Sequence, residues 1–431
     1  MSWKKIKLSE FLKNRDGRYK PNDIAISDFK RIDKIDFSGN IFISDKASNT
    51  DMILVKKGDL VISGINIEKG AMTVYEGDND ITATIHYSSY IYDKEKIDIE
   101  FLKYFLKSSE FKQAIKEQVP GGIKTEIKPK HLLPLEVFIP TTINEQKIVV
   151  ENLKSIEKEN LKLATEINTQ LNLVKQLRQS FLREAMQGKL VAQNPADGNA
   201  KDLLEQIKAE KAKSGKKEKP LPAIKDEEIP FEIPENWIWC RFGEIAYITS
   251  GSTPSQDSFV ENGIPYLKMY NLKNQKIDFF FKPQYIKEEV HNGQLKRCRA
   301  YPGDVIMNIV GPPLGKIAII PESLSECNFN QAAVLIRPYL SKMNIFIFWY
   351  LNEMSEINSI DTKGVAGQNN ISVTQAHNMR IPLPPLPEQQ RIVEKLDELM
   401  RMCDELEQSI KASQEQNEKL LQQVLREALR G

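Results

Sequence analysis

The sequence predicts an α+β fold built twice: two similar mixed α/β domains, each followed by a long helix, with the two helices paired as a coiled coil. Three observations carry that expectation. A block ending in Leu182-Arg183-Glu184-Ala185-Met186-Gln187-Gly188 returns at the end of the chain as Leu425-Arg426-Glu427-Ala428-Leu429-Arg430-Gly431. Short β-branched runs separated by turn residues precede each block. Apolar residues then recur at alternating spacings of three and four, the signature of a helical seam.

The offset between the copies barely drifts, as expected of an internal repeat. Trp3, Lys7, Glu10 and Phe11 correspond to Trp237, Arg241, Glu244 and Ile245, and Gly58-Asp59-Leu60-Val61-Ile62 corresponds to Gly303-Asp304-Val305-Ile306-Met307. Phe101 to Leu106 aligns with Phe346 to Leu351, Ile139-Pro140 with Leu383-Pro384, and Gln146-Lys147-Ile148-Val149 with Gln390-Arg391-Ile392-Val393. Between these anchors the copies are nearly unrelated. An equal framework with unequal faces suggests two sites of one kind that read different things.

Taken in order, residues 1–141 form the first mixed domain. Its strands include Ile41-Phe42-Ile43-Ser44, Leu60-Val61-Ile62-Ser63 and Ala71-Met72-Thr73-Val74, and one helical stretch spans Ile99 to Gln118 through Leu102, Phe105, Leu106 and Ile115. Residues 142–190 are the first long helix, opened by a capping box from Thr142 to Glu145 and closed at Gly188. Residues 191–235 read as a linker with a short amphipathic helix from Ala200 to Lys213, followed by a Lys, Gly and Pro stretch. Residues 236–385 repeat the domain, and residues 386–431 repeat the helix, with Pro387 in its first turn and Gly431 at its end.

The predicted seam of the first helix runs through Leu153, Ile156, Asn160, Leu163, Ile167, Gln170, Val174, Leu177 and Phe181. That of the second runs through Ile392, Leu396, Leu399, Cys403, Leu406, Ile410, Ser413, Asn417, Leu420 and Val424. Two helices of similar length and phase in one chain can bury their stripes on each other. Antiparallel pairing would relate the halves by a pseudo-twofold axis; parallel pairing would put both domains at one end.

Length and composition bound the function. With 431 residues the chain can bury two or three cores. No apolar run approaches the roughly 20 residues that span a bilayer, and the charged start Met1-Ser2-Trp3-Lys4-Lys5 is unlike a secretory signal. Cys240, Cys298, Cys327 and Cys403 lack metal or disulfide-framework spacing, so the expected location is the cytoplasm. The formal net charge of +1 leaves a nucleic-acid partner open without supporting it.

Catalytic and metal motifs are missing. Gly311-Pro312-Pro313-Leu314-Gly315-Lys316-Ile317 is one residue short of a phosphate loop, has Ile in place of the magnesium-binding hydroxyl, and carries prolines where amide donors are needed. Asn308-Ile309-Val310-Gly311-Pro312-Pro313-Leu314 lacks the order by which amino-methyltransferases hold a target amine. His86, His131, His291 and His377 stand apart from metal-spaced partners, and Glu110-Phe111-Lys112 is a chance triplet in a chain that is 28% charged. The chain is expected to catalyse nothing by itself and to bind no metal or cofactor.

The segments Leu383-Pro384-Pro385-Leu386-Pro387-Glu388-Gln389-Gln390-Arg391-Ile392, Gln187-Gly188-Lys189-Leu190-Val191, and Pro234 through Trp237 to Ile245 resemble the specificity subunit of type I restriction-modification enzymes, as does the turn Ser250-Gly251-Ser252-Thr253-Pro254-Ser255. The first copy departs most, with Thr141-Thr142-Ile143-Asn144 in place of the proline-rich helix entry. The resemblance implies two target-recognition domains that each read half of a split, asymmetric DNA site, and an antiparallel helix pair that sets the gap. It further implies double-stranded DNA and two copies of a DNA adenine methyltransferase subunit as partners. Restriction and translocase subunits would join them, with S-adenosylmethionine, ATP and Mg confined to those partners.

Candidate DNA contacts are polar and basic residues of loops that differ between the copies. In the first domain these are Lys69, Lys124, Lys128 and Lys130, the last three near Gly121-Gly122. In the second they are Lys268, Tyr270, Asn271 and Lys273, then Lys316, then Gln368, Asn369 and Asn370, with Lys296, Arg297 and Arg299 as the densest basic cluster. Lys and Arg suit phosphates, whereas Asn and Gln can bond adenine edges. Two alternatives stay open: a coiled-coil scaffold with two protein-binding domains, and a specificity subunit of a methylation-only or related phage-defence system. A stand-alone methyltransferase or nuclease lacks its motifs.

Overall fold

The structure, a computed structural model, describes residues 1–45, 48–118, 126–213, 220–311, 314–353 and 370–429. The chain divides into two compact units: Met1–Thr169 with Ile410–Gly431, and Gln170–Ser409. Each holds one mixed domain and a segment of both long helices, so the division falls within the helices, not at their ends.

The two domains share a framework. In the first, Trp3–Lys7 pairs antiparallel with Glu136–Pro140; in the second, Ile238–Arg241 pairs in the same way with Arg380–Leu383. Each pairing clasps the start of a domain to its end just before the long helix. A four-stranded sheet follows in each, ordered Leu12–Asn14, Tyr87–Tyr92, Leu60–Ser63, Met72–Val74 in one and Ala246–Ser250, Ala333–Pro338, Val305–Asn308, Ile317–Ile319 in the other. A helix packs on each sheet, burying Phe101, Leu102, Phe105 and Leu106 of Ile99–Lys107, and Phe346, Ile347, Tyr350 and Leu351 of Asn344–Glu353. These are the runs that align in the sequence. The turn into the central strand also repeats: Gly58 and Gly303 sit at φ of 86° and 85°, where a side chain is strained. The following Asp59 and Asp304 are buried and paired with Arg15 and Arg337.

The remaining part of each domain is not shared. The first adds a five-stranded sheet ordered Arg18–Tyr19, Met52–Val55, Ile81–Thr84, Arg31–Ile35, Ile41–Ser44, with its own core of Ile32, Ile35, Val55 and Ala83. The second adds a sheet ordered Phe259–Val260, Tyr285–Ile286, Ile264–Leu267, Asn328–Phe329, and a hairpin of Leu272–Lys273 with Lys276–Ile277.

Local corrections have local causes. The expected helix from Ile99 to Gln118 is two helices, Ile99–Lys107 and Ser109–Gln118, because Ser108 leaves helical geometry and its hydroxyl accepts from the Phe111 amide. The short amphipathic helix expected in the connecting segment runs Ala200–Lys213, and its Ala200, Leu203, Leu204 and Ile207 are buried in the second unit's core, where its apolar face is covered.

The long helices run Ile143–Met186 and Leu386–Ala428. The capping box forms as read, with the Glu145 amide donating to Thr142 Oγ1 and the Thr142 amide to Glu145 Oε2. Gly188, at φ 69°, closes the first helix while the Lys189 amide bonds the Glu184 carbonyl. Within the first unit Val149, Val150 and Leu153 pack with Leu425, Ala428 and Leu429. Within the second, Leu182, Ala185 and Met186 pack with Ile392, Leu396 and Met400. The start of each helix therefore meets the end of the other, which is antiparallel pairing. The burial phase shifts one alignment by a residue: Val149 and Leu153 match Ile392 and Leu396, so Gln146 matches Gln389, and the two glutamines donate to the carbonyls of Pro140 and Pro384 at the ends of the domains.

The seam departs from the predicted heptads. Leu153, Ile167, Leu396 and Ile410 are buried, and Ile156, Phe181, Leu399 and Val424 are half-buried, but Leu163, Leu177, Leu406 and Leu420 are 40–58% exposed. A helix of 3.6 residues per turn drifts roughly 20° per heptad from a strict 3.5 repeat. The stripe is relieved by single-residue shifts: Arg178 replaces Leu177 at the interface and meets Asp404 and Glu407 at 2.5 and 2.9 Å. In the first unit Asn417 donates to Asn160 at 2.7 Å.

Candidate nucleic-acid interface

In the second domain, three predicted segments come together at one end of the four-stranded sheet. The Asn274-Gln275 turn joins Lys273 to Lys276 with both residues at positive φ, 49° and 58°, the geometry of a type I′ hairpin. Gln275 is held there by its side chain, which accepts from the Ile317 amide at 2.8 Å and donates to Asn352. That ties the hairpin to Lys316, whose own amide donates to Asn308 Oδ1. Asn370 bridges to Val310 beside the same strand end. Lys268, Tyr270 and Lys316 are half-buried there, and Lys273 is exposed.

Asn271 does not belong with these contacts. It is buried, its Oδ1 accepts from the Lys268 amide, and its Nδ2 donates to the carbonyls of Asp278 and Phe281 at 2.9 Å each. Its hydrogen-bonding capacity is consumed in bracing the loop, which no spacing in the sequence discloses.

Lys296, Arg297 and Arg299 lie toward the opposite end of the sheet, near Tyr247, Tyr301 and Arg337. Arg297 donates to Thr249, Arg299 to Asn292, and the Arg337 guanidinium stacks 4.7 Å from the Tyr301 ring. Burial works against the Arg337 charge, but the hydrogen bond and charge of Asp304 outweigh it and raise its pKa. The predicted residues of this domain thus form two groups, not one.

In the first domain the Ile127 amide donates to Gly64 O and the Gly64 amide to His86 O, which sets Lys128 and Lys130 beside the loop that ends at Lys69. Lys69 Nζ lies 5.5 Å from the Phe37 ring, and Lys128 pairs with Glu126 at 3.5 Å. Lys124, Gln368 and Asn369 lie outside the described residues.

Missed by the sequence reading were Gln275, Lys276, Phe280, Phe281 and Lys282. Phe280 and Phe281 are exposed, and the ammonium of Lys273 lies 3.2 Å from the Phe281 ring centroid. The signal was present as three consecutive phenylalanines between lysines. Among the described residues no group of His, Cys, Asp or Glu could hold a metal ion, and no helix is long and apolar enough to cross a membrane.

Two copies of one α+β framework, each clasped before a long helix and fitted with an unlike added sheet, define a duplicated two-domain class of fold. Residues 234–416 match the family model described as the type I restriction modification DNA specificity domain. It is 35% identical over 253 residues to the EcoAI specificity subunit of Escherichia coli, covering 56% of this chain and 42% of that one. It is 30% identical to the Escherichia coli EcoEI specificity subunit, covering 58% and 43%. These alignments thus span less than half the length of either relative. The fold is shared with a chain from a structure on complex assembly and conformational transition of the type I R-M system, at TM-score 0.67, 18% identity and coverage of 100% and 98%. It is also shared with the HsdS subunit from Thermoanaerobacter tengcongensis, at TM-score 0.58, 17% identity and coverage of 100% and 97%.

Proposed function

We propose that this chain is the non-catalytic, sequence-specific DNA-binding subunit of a type I restriction-modification complex, reading a bipartite, asymmetric site with a fixed non-specific spacer. The observation that carries this is the contrast within the repeat: the clasp strands, four-stranded sheet and long helix recur, while the added sheets and their loops differ. Two short half-sites read on one frame combine their discrimination, since each wrong base pair costs roughly 1–3 kcal/mol. In this reading, Lys268, Tyr270, Lys273, Lys316 and Asn370 face one half-site and Lys69, Lys128 and Lys130 the other. The helices act as the ruler. Partner subunits supply the chemistry: two adenine methyltransferases with S-adenosylmethionine, and restriction subunits using ATP and Mg.

The test is the pattern of methylated adenines in DNA from cells that co-express this chain with its methyltransferase subunits. Exchanging residues 1–141 for another such domain should change one half-site and leave the other. A change in both halves, or no split motif, contradicts the proposal; a chain that protects no sequence in random duplexes favours a protein-binding scaffold.

A further inference from the structure

Phe280 stands 81% exposed on a loop whose backbone is fixed from several sides. Its neighbour Phe279 is buried in the core of the second domain's added sheet, and the Phe281 amide donates to Asp278 Oδ1. The buried Asn271 side chain holds the carbonyls on both sides of Phe280, and the Tyr270 hydroxyl donates to Lys282 O at 3.1 Å. Lys282 itself is held at φ 54°. An exposed phenyl ring on a loop this well braced is presented, not merely left over. Its surroundings select the surface it would meet: Lys273 and Lys282 hold their ammonium groups 3.2 and 5.6 Å from the adjoining Phe281 ring, and Lys268 and Lys276 lie in the same segment, against the single acid Asp278, which pairs with Lys273 at 3.6 Å. That is a basic collar around an apolar tip, which suits a polyanion with a stacked apolar interior.

We propose that Phe280 is an apolar wedge that enters a groove of the DNA half-site read by the second domain and partly unstacks one base step, while the flanking lysines hold phosphates on either side. The inference rests on the DNA-reading function proposed above. Apolar side chains inserted at a base step kink the duplex by roughly 20–90°, and the deformation adds selectivity for easily unstacked steps. Asn271 is then a positioning residue that sets the height of the ring above the loop.

The experiment uses the full-length chain with co-expressed methyltransferase subunits and duplexes that the wild type selects from a random pool. Thymine oxidation by permanganate, and 2-aminopurine fluorescence scanned through each half-site, report unstacking. One step in the second-domain half-site should become hyper-reactive, with none in the spacer. Phe280→Ala should abolish that signal and weaken specific binding by about tenfold, with binding to unselected DNA unchanged. Phe280→Leu, which keeps an apolar tip, should retain much of both. Because the ring is exposed, neither variant threatens folding. A selected half-site with ordinary stacking in the wild type, or equal unstacking with Phe280→Ala, overturns the wedge and leaves the DNA-reading function standing. Loss of the methyltransferase subunit from Phe280→Ala, with DNA binding intact, assigns the ring to a protein contact and overturns the wedge. If the wild type selects no sequence, both fall.

Discussion

Glu388 and Glu145 occupy matching positions in the first turns of the two long helices, yet the structure predicts very different costs for removing them. Glu388 is fully buried and accepts from the Trp237 indole Nε1 at 2.9 Å, from Asn236 at 3.4 Å and from Gln193. Glu145 is half-buried and accepts from the Ser2 and Thr142 amides at the domain surface. A hydrogen bond to a charged group contributes about 1.5–3 kcal/mol, and a buried donor left without a partner loses about 1–3 kcal/mol. Glu388→Ala strands the buried Trp237 indole N–H away from water and removes a carboxylate that three donors share, so we expect a loss of about 3–5 kcal/mol in the second unit. Glu145→Ala exposes its donors to solvent and should cost about 1 kcal/mol, the ordinary worth of a helix cap. Urea unfolding followed by tryptophan fluorescence reads the difference, because Trp237, Trp239 and Trp349 belong to the second unit and Trp3 to the first. With a slope of about 3 kcal/mol per molar urea, Glu388→Ala should lower the second unit's midpoint by roughly 1–1.7 M. A double-mutant cycle with Trp237→Phe should return a coupling of about 1.5–3 kcal/mol. Equal losses for the two glutamates, or a coupling near zero, would refute the argument that burial at the clasp sets the cost.

Other expectations are simpler to state. Gly58→Ala should lose about 1–2 kcal/mol from the positive φ alone, while Gly303→Ala should lose more, because a Cβ there would sit 2.9 Å from Asn344 Nδ2; equal losses in thermal melts would contradict the crowding. All four cysteines are buried, and burial pushes each thiol up, so none should react with a disulfide reagent at pH 8 until denaturant is added; rapid native labelling of any one would place it at the surface. Lys316→Gln and Lys273→Gln should each weaken DNA binding across sequences and reduce the slope of log affinity against log salt by about 1, whereas an unchanged slope would remove that lysine from the phosphate contacts.

Much of the fold was legible because it is written in patterns of local physical origin. Gly58-Asp59 and Gly303-Asp304 announced the same turn, and Phe101 to Leu106 and Phe346 to Leu351 announced the same buried helix face, since spacing alone places such residues together. The candidate interface was legible only in outline. Asn271 and Lys273 stand close in sequence and have the polarity of readers, but one is spent inside the loop and the other faces solvent, a choice made by the carbonyls of Asp278 and Phe281. Gln275 carried no visible signal, because its role depends on strand Ile317–Ile319 and on Asn352, both remote in sequence.

By itself, then, the sequence determined the duplication and the presence of the two long helices, both of which follow from periodicity and residue chemistry. The tertiary structure decided what depends on contacts between distant residues. It chose antiparallel pairing within each unit, shifted the seam from Leu177 and Leu406 to Arg178 and Glu407, and built the short helix of the connecting segment into a core. The common reason is that side-chain type limits which surfaces need burial, whereas the drift of a 3.6-residue helix and the competition for donors and acceptors decide which partner each surface finds.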